Sequence, residues 1–153
     1  MRLFLGIILL LLCVFIGYCL SNKYYFRRVF YGDFLSFNTL FAQEIAFKQT
    51  TIINLIKNQK SNTDFYLLLN SNISGQDVKI DYKYLTNEEK QFVYEYLNKL
   101  GKFDKETQLD YIKGVNEIIK DKNESSILDE KRYKMLYLKV SFLIGLILLI
   151  IVL

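Results

Sequence analysis

No charge occurs in residues 3–20, LFLGIILLLLCVFIGYCL, or in residues 140–153, VSFLIGLILLIIVL, and the stretch between them holds 19 of the 20 lysines and arginines and all 16 acids. Eighteen helical residues reach roughly 27 Å, close to the roughly 30 Å hydrocarbon core of a bilayer. The second run is shorter. It becomes long enough if its helix starts near Leu136 and Lys139 lifts its ammonium to the headgroups. The pattern therefore predicts an all-α chain: transmembrane helices over residues 1–21 and 137–153, and a helical bundle over residues 22–136. The rival for the first run is a cleavable signal peptide. Arg2 is its only basic leader residue, and Gly17-Tyr18-Cys19 makes a poor cleavage site, so the expectation is an uncleaved anchor.

Inside the polar stretch the period changes. Phe30, Phe34, Phe37, Phe41 and Ile45 recur every three or four residues, the stripe of an amphipathic helix. With no proline and only Gly32 between residues 23 and 47, one helix from about residue 3 to 49 is expected, part of it in lipid and part in water. Such a stripe reads as core before it reads as a ligand box. Thr50 or Thr51 offers a cap for a short second helix, TIINLIKNQ, and Ser61-Asn62-Thr63-Asp64 a cap for a third, FYLLLN. Residues 70–81 read as a polar loop. Thr86-Asn87-Glu88-Glu89 is a capping box that opens a helix over residues 87–100, with Phe92, Val93, Tyr96, Leu97 and Leu100 on its apolar side. Two long helices thus continue the apolar ends, with shorter ones packed between them.

The stretch LGKFDKETQ, residues 100–108, has the look of a catalytic loop. Gly101 follows the last apolar residue of one helix, where a left-handed cap suits glycine, and Asp104 can accept from the orphan amides of the next. The next helix turns Leu109, Ile112, Val115, Ile118 and Ile119 inward and runs on through Ile127, Tyr133 and Leu136 into the second apolar run. A general base wants a partner such as histidine or a metal, and the chain has no histidine at all. A helix corner is the better reading.

Composition narrows the function. The polar stretch carries a net +3 in mixed charge, so no nucleic-acid partner is expected. Cys13 and Cys19 lie six apart in the first apolar run without a histidine to join them, so no metal site and no structural disulfide is expected. Neither GxxxxGK[ST] nor GxGxxG occurs, so no nucleotide cofactor is expected and the chain reads as a non-enzyme. Lys23, Arg27 and Arg28 follow the first apolar run, and Lys131, Arg132, Lys134 and Lys139 precede the second. Positive flanks stay in the cytoplasm, so both termini are expected outside and the bundle inside. The same basic flanks could also hold anionic lipid or an acidic partner.

These residues, in this order, resemble the stage III sporulation protein AB family of endospore-forming Firmicutes. Leu100, Gly101, Asp104 and Gln108 match that family's LG-x-[ST]-D-x-x-x-Q, with Phe103 in place of the hydroxyl residue. Glu44 and Ile45 open a stretch, EIAFKQTTI, similar to its E-I-x-Y-G-x-T-P-L, with Lys48 for the glycine and Thr51 for the proline. Arg27 matches an arginine just past the first span. Lys134-Met135-Leu136-Tyr137 and Gly145-Leu146 match the approach to its last span, where Val140-Ser141 replaces the usual Leu-Gly. The resemblance implies a component of the channel between mother cell and forespore, with a cytoplasmic domain similar to the F-type platform proteins of type II secretion and type IV pilus systems. Its implied partners are a cytoplasmic secretion-type ATPase like stage III sporulation protein AA, other membrane proteins of the channel and the lipid bilayer, with self-association left open. The alternative is a platform of a pilus-like or type II exporter in a non-sporulating cell.

Overall fold

A computed structural model describes residues 2–47, 62–76 and 78–152. The described residues form four helices and no strand: α1 (Arg2–Phe47), α2 (Asp64–Ile73), α3 (Asn87–Lys99) and α4 (Lys105–Val152). The long helices expected at both ends are present without a break through their described lengths. The helix expected over TIINLIKNQ lies outside the described residues. The chain divides into two compact units, one of Met1–Phe26 with Ser125–Leu153 and one of Arg27–Glu124.

The second unit is the bundle. Phe30, Phe34, Phe37 and Phe41 are all buried, as the stripe requires, and Ile45 packs partly buried against them. Phe34 is the hub: its ring stacks on Phe65 of α2 at 4.8 Å and meets Tyr96 of α3 edge-on at 4.7 Å. Val93 and Leu97 of α3 and Ile112, Val115 and Ile119 of α4 complete the core. Offset and edge-on rings add about 0.5–1.5 kcal/mol per pair beyond the area they bury.

Two expectations inside the bundle are corrected. Residues 70–81 are not all loop, because α2 runs to Ile73. The Ser71 and Ser74 hydroxyls bond back to the carbonyls of Leu67 and Asn70, and the Asn72 side chain donates to the Leu97 carbonyl of α3 at 3.0 Å. Polar side chains that signal a loop here serve the helix end and its packing. Ile118 does not turn inward; it is 46% exposed, and Ile119 beside it takes the core position.

The first unit pairs the apolar segments of α1 and α4 antiparallel. Gly6 faces Leu149, and Gly145 lies against the Cα of Leu10, where a Cβ would come within 3.2 Å. At Gly17 a Cβ would collide with the Ser141 side chain and sit 3.1 Å from the Tyr137 carbonyl. Small residues at such contacts let two helix backbones approach, the packing mode of helices in lipid. The outward side chains are large and apolar, with Phe4, Phe15, Ile150 and Ile151 all more than 60% exposed. Both helices are long and apolar enough to cross a membrane. Cys13 and Cys19 are free thiols.

Candidate functional site

Two constellations in the bundle gather most of the residues the sequence singles out. The first is built on Arg27. Positions 27, 30, 31 and 34 share one face of α1, so the guanidinium points toward the core rather than into solvent. It meets Glu89 at the start of α3, with Nη2 2.7 Å and Nε 3.3 Å from Oε1. Glu89 is only 3% exposed. Its second oxygen accepts from the Thr86 amide at 3.0 Å, while the Glu89 amide donates to the Thr86 hydroxyl at 3.2 Å, closing the capping box. Lys122 of α4 brings its ammonium to 3.9 Å of the same carboxylate. Three helices thus converge on one buried charge.

The electrostatics follow from that geometry. Burial pushes the Glu89 carboxyl up, but the hydrogen bonds from Arg27 and the Thr86 amide and the charges of Arg27 and Lys122 outweigh it, and the group is held below its ordinary value. Tyr31, fully buried beside it, is pushed well up, first by burial and then by the Glu89 carboxylate. Arg27, one of the basic flank residues and a motif position, has a side chain 17% exposed and paired with Glu89.

The second constellation is the corner between α3 and α4. Leu100 drops into the core, Gly101 takes φ +72°, and Asp104 caps α4 by accepting from the Thr107 amide at 3.2 Å. Hydrogen bonds from the Thr107 hydroxyl and amide hold the exposed Asp104 carboxyl below its ordinary value. Gln108 is buried, and its side-chain oxygen accepts from the Gly101 amide at 2.8 Å. That bond clasps the end of one helix to the first turn of the next. All four motif residues therefore serve the joint, and only Gly101 and Asp104 also reach the surface. Around them Lys99, Lys102, Phe103 and Lys105 are exposed. Glu44 and Ile45 sit apart in sequence, in the last turns of α1, half-buried, with Ile45 in the core shell.

Sequence reasoning missed two further polar residues. Asn38 is fully buried and accepts from the Tyr96 hydroxyl at 3.0 Å, while its amide donates to Asn116 at 2.9 Å. Its position, one turn beyond Phe34 on the apolar stripe, was the available signal. Glu89 signals only a cap in the local sequence, because its ion pair spans 62 positions. Among the described residues no group of three or more Cys, Asp or Glu is placed to hold a metal. The arrangement organises helices; its charges are used on each other.

Comparison with curated proteins finds no match, and comparison with solved structures finds none either. A family model, stage III sporulation protein AB, matches residues 77–153, the half of the chain that contains α3, the corner and α4. The clasped corner, the capping box ahead of α3 and the apolar end of α4 all lie inside that match, and the chain belongs to the stage III sporulation protein AB family.

Proposed function

We propose that this chain is a non-enzymatic membrane platform of the sporulation channel between mother cell and forespore, on which a cytoplasmic secretion-type ATPase docks. Family membership already implies a role in sporulation. What supports the finer reading is the division of the molecule itself: an apolar helix pair with its large side chains outward, and a bundle of mixed charge closed around an aromatic core and the Arg27–Glu89 ion pair. A membrane anchor carrying a protein-binding body has that form. The basic residues left at the flanks, Lys23, Lys131, Arg132, Lys134 and Lys139, favour a cytoplasmic bundle with both ends outside.

The docking surface on this reading is the exposed rim of the corner, Lys102, Phe103 and Asp104. Co-purification of the ATPase with the full chain from sporulating cells tests it. Asp104→Lys reverses the charge at the rim and costs roughly 1 kcal/mol of capping, too little to unfold the bundle. The expected outcome is loss of the ATPase while helix content by circular dichroism stays unchanged. Undiminished co-purification of the variant would remove the corner as the docking surface.

A further inference from the structure

Where the charge-free run of α1 ends, Tyr18, Ser21, Asn22 and Tyr25 of α1 and Lys134 of α4 line a cleft of about 290 Å³. All five belong to the unit that contains the apolar pair. Ser21 is buried and donates its hydroxyl to the Tyr18 carbonyl at 2.8 Å. The Tyr18 phenol, the Asn22 carboxamide and the Lys134 ammonium face the cleft beside the Tyr25 ring, and the lining has no carboxylate. Donors around a single positive charge suit an anionic oxygen group such as a phosphate. The volume falls at the low edge of ligand pockets, which run from about 300 to 1,000 Å³, so a small group fits better than a nucleotide.

The surroundings indicate depth. Tyr24 stacks on Tyr133 at 4.6 Å next to the cleft, and the Lys23 ammonium lies 4.9 Å from the Tyr24 ring centre. Tyrosine and lysine settle at the headgroup level of a bilayer, the phenol or ammonium in the polar layer and the stem in the apolar one. One ammonium balances one negative charge. That matches a phosphodiester, which carries a single charge, better than free phosphate, part of which carries a second charge near neutral pH. Asp129 and Glu130, one turn before Lys134, already have contacts of their own and would repel a second charge.

We propose that this cleft binds a phosphate-bearing anion, presented by the headgroup of an acidic phospholipid. The site presupposes the membrane placement proposed above and adds to it a specific lipid contact.

The full chain, purified in a non-ionic detergent, is titrated separately with short-chain phosphatidylglycerol, short-chain phosphatidylcholine and inorganic phosphate, and bound molecules are counted by native mass spectrometry. One phosphatidylglycerol is expected per chain at concentrations where the other two are not retained. Lys134→Gln weakens retention about tenfold, the loss of one charge-assisted hydrogen bond. Lys134→Arg restores it, and Lys131→Gln, an exposed residue outside the cleft, leaves it unchanged. Asn22→Leu fills the cleft without changing charge and weakens retention as well, which keeps the test valid if Lys134→Gln does not fold. Equal retention of inorganic phosphate would overturn the lipid source. Equal retention by Lys134→Gln and Asn22→Leu, or an equal loss in Lys131→Gln, would overturn the cleft. Carbonate extraction of cell membranes separates the two readings. Release of the chain sinks the membrane placement and the site together, whereas a retained chain without lipid preference sinks the site alone.

Discussion

The apolar pair and the bundle solve the same problem, holding helices together, with opposite materials. In the pair the smallest residues face inward, Gly6, Gly17 and Gly145, and the largest side chains face out. In the bundle the rings of Phe30, Phe34, Phe37 and Phe65 are buried and most of the described lysines are exposed. The difference follows from the solvent each unit would meet. Burying a ring against another ring gains free energy only if the alternative is water. In lipid that gain vanishes, and close backbone approach is what remains. The bundle holds Glu89 and Asn38 inside with partners from other helices, whereas the buried Ser21 of the pair donates to a carbonyl of its own helix.

The largest effect should come from the bundle's buried charge. Glu89→Ala takes the carboxylate away from the Arg27 guanidinium and opens the capping box at once. Removing one partner of a buried ion pair costs about 3–5 kcal/mol, a large part of a small domain's stability. Denaturant titration of the detergent-solubilised chain, followed by tyrosine fluorescence, should show that loss, and an Arg27→Met/Glu89→Met double variant should recover most of it. The same pair gives the bundle a pH dependence. The folded chain holds Glu89 ionised below its ordinary value of 4.5, so the unfolded chain takes the proton first. The contribution is therefore complete above that value and is lost as pH falls through the lower folded one. Wild-type stability should drop in that acid window, and the double variant should drop less. Equal acid sensitivity in the two proteins would show that Glu89 is not the titrating contact.

A smaller effect, confined to the other unit, tests the lipid half of the comparison. Gly17→Ala places a methyl group against Ser141 and the Tyr137 carbonyl. Overpacking of a tight contact costs about 1–3 kcal/mol. Ser141→Gly, which restores the glycine that the family resemblance places there, removes the atoms it collides with. The double variant should thus be more stable than Gly17→Ala alone in sodium dodecyl sulfate titration. If the two substitutions simply add, the close approach of the helices at Gly17 is not what holds the pair.

What the sequence revealed of this fold was local. The Phe30–Phe41 stripe, the Thr86 capping box and the glycine at the corner are each decided within a few residues, because a helix repeats every 3.6 positions and its caps lie within one turn. The apolar ends declared themselves by length alone. The inward face of Arg27 could be read from its spacing to Phe30 and Phe34, but its partner could not, since nothing local ties residue 27 to residue 89. The same holds for Asn38, whose partners Tyr96 and Asn116 come from two other helices. The misreadings have a common cause. Asn72 and its neighbouring serines look like loop residues until α3 supplies a carbonyl for the asparagine, and Ile118 looks like core until Ile119 occupies the place. Periodicity says that a face exists, and tertiary packing decides which of two adjacent residues stands on it.

The corner is where local and tertiary information meet, and the smallest predicted effect lies there. Gly101 is exposed and holds φ +72°, so backbone strain opposes a methyl group there. Gly101→Ala should cost about 1 kcal/mol, the penalty of the left-handed region for a residue with a Cβ. Its amide, however, is the donor to the buried Gln108 oxygen at 2.8 Å. If the alanine variant relaxes out of the left-handed region, that oxygen loses its partner, and the loss grows by the roughly 1–3 kcal/mol of a buried acceptor left unsatisfied. Gly101→Asn separates the two costs. Asparagine tolerates positive φ better than alanine and leaves the amide in place. A nearly wild-type Gly101→Asn beside a mildly weakened Gly101→Ala would place the cost in the turn. A nearly wild-type Gly101→Asn beside a severely destabilised Gly101→Ala would place it in the clasp to Gln108, and the corner would then be held by its tertiary bond more than by its glycine.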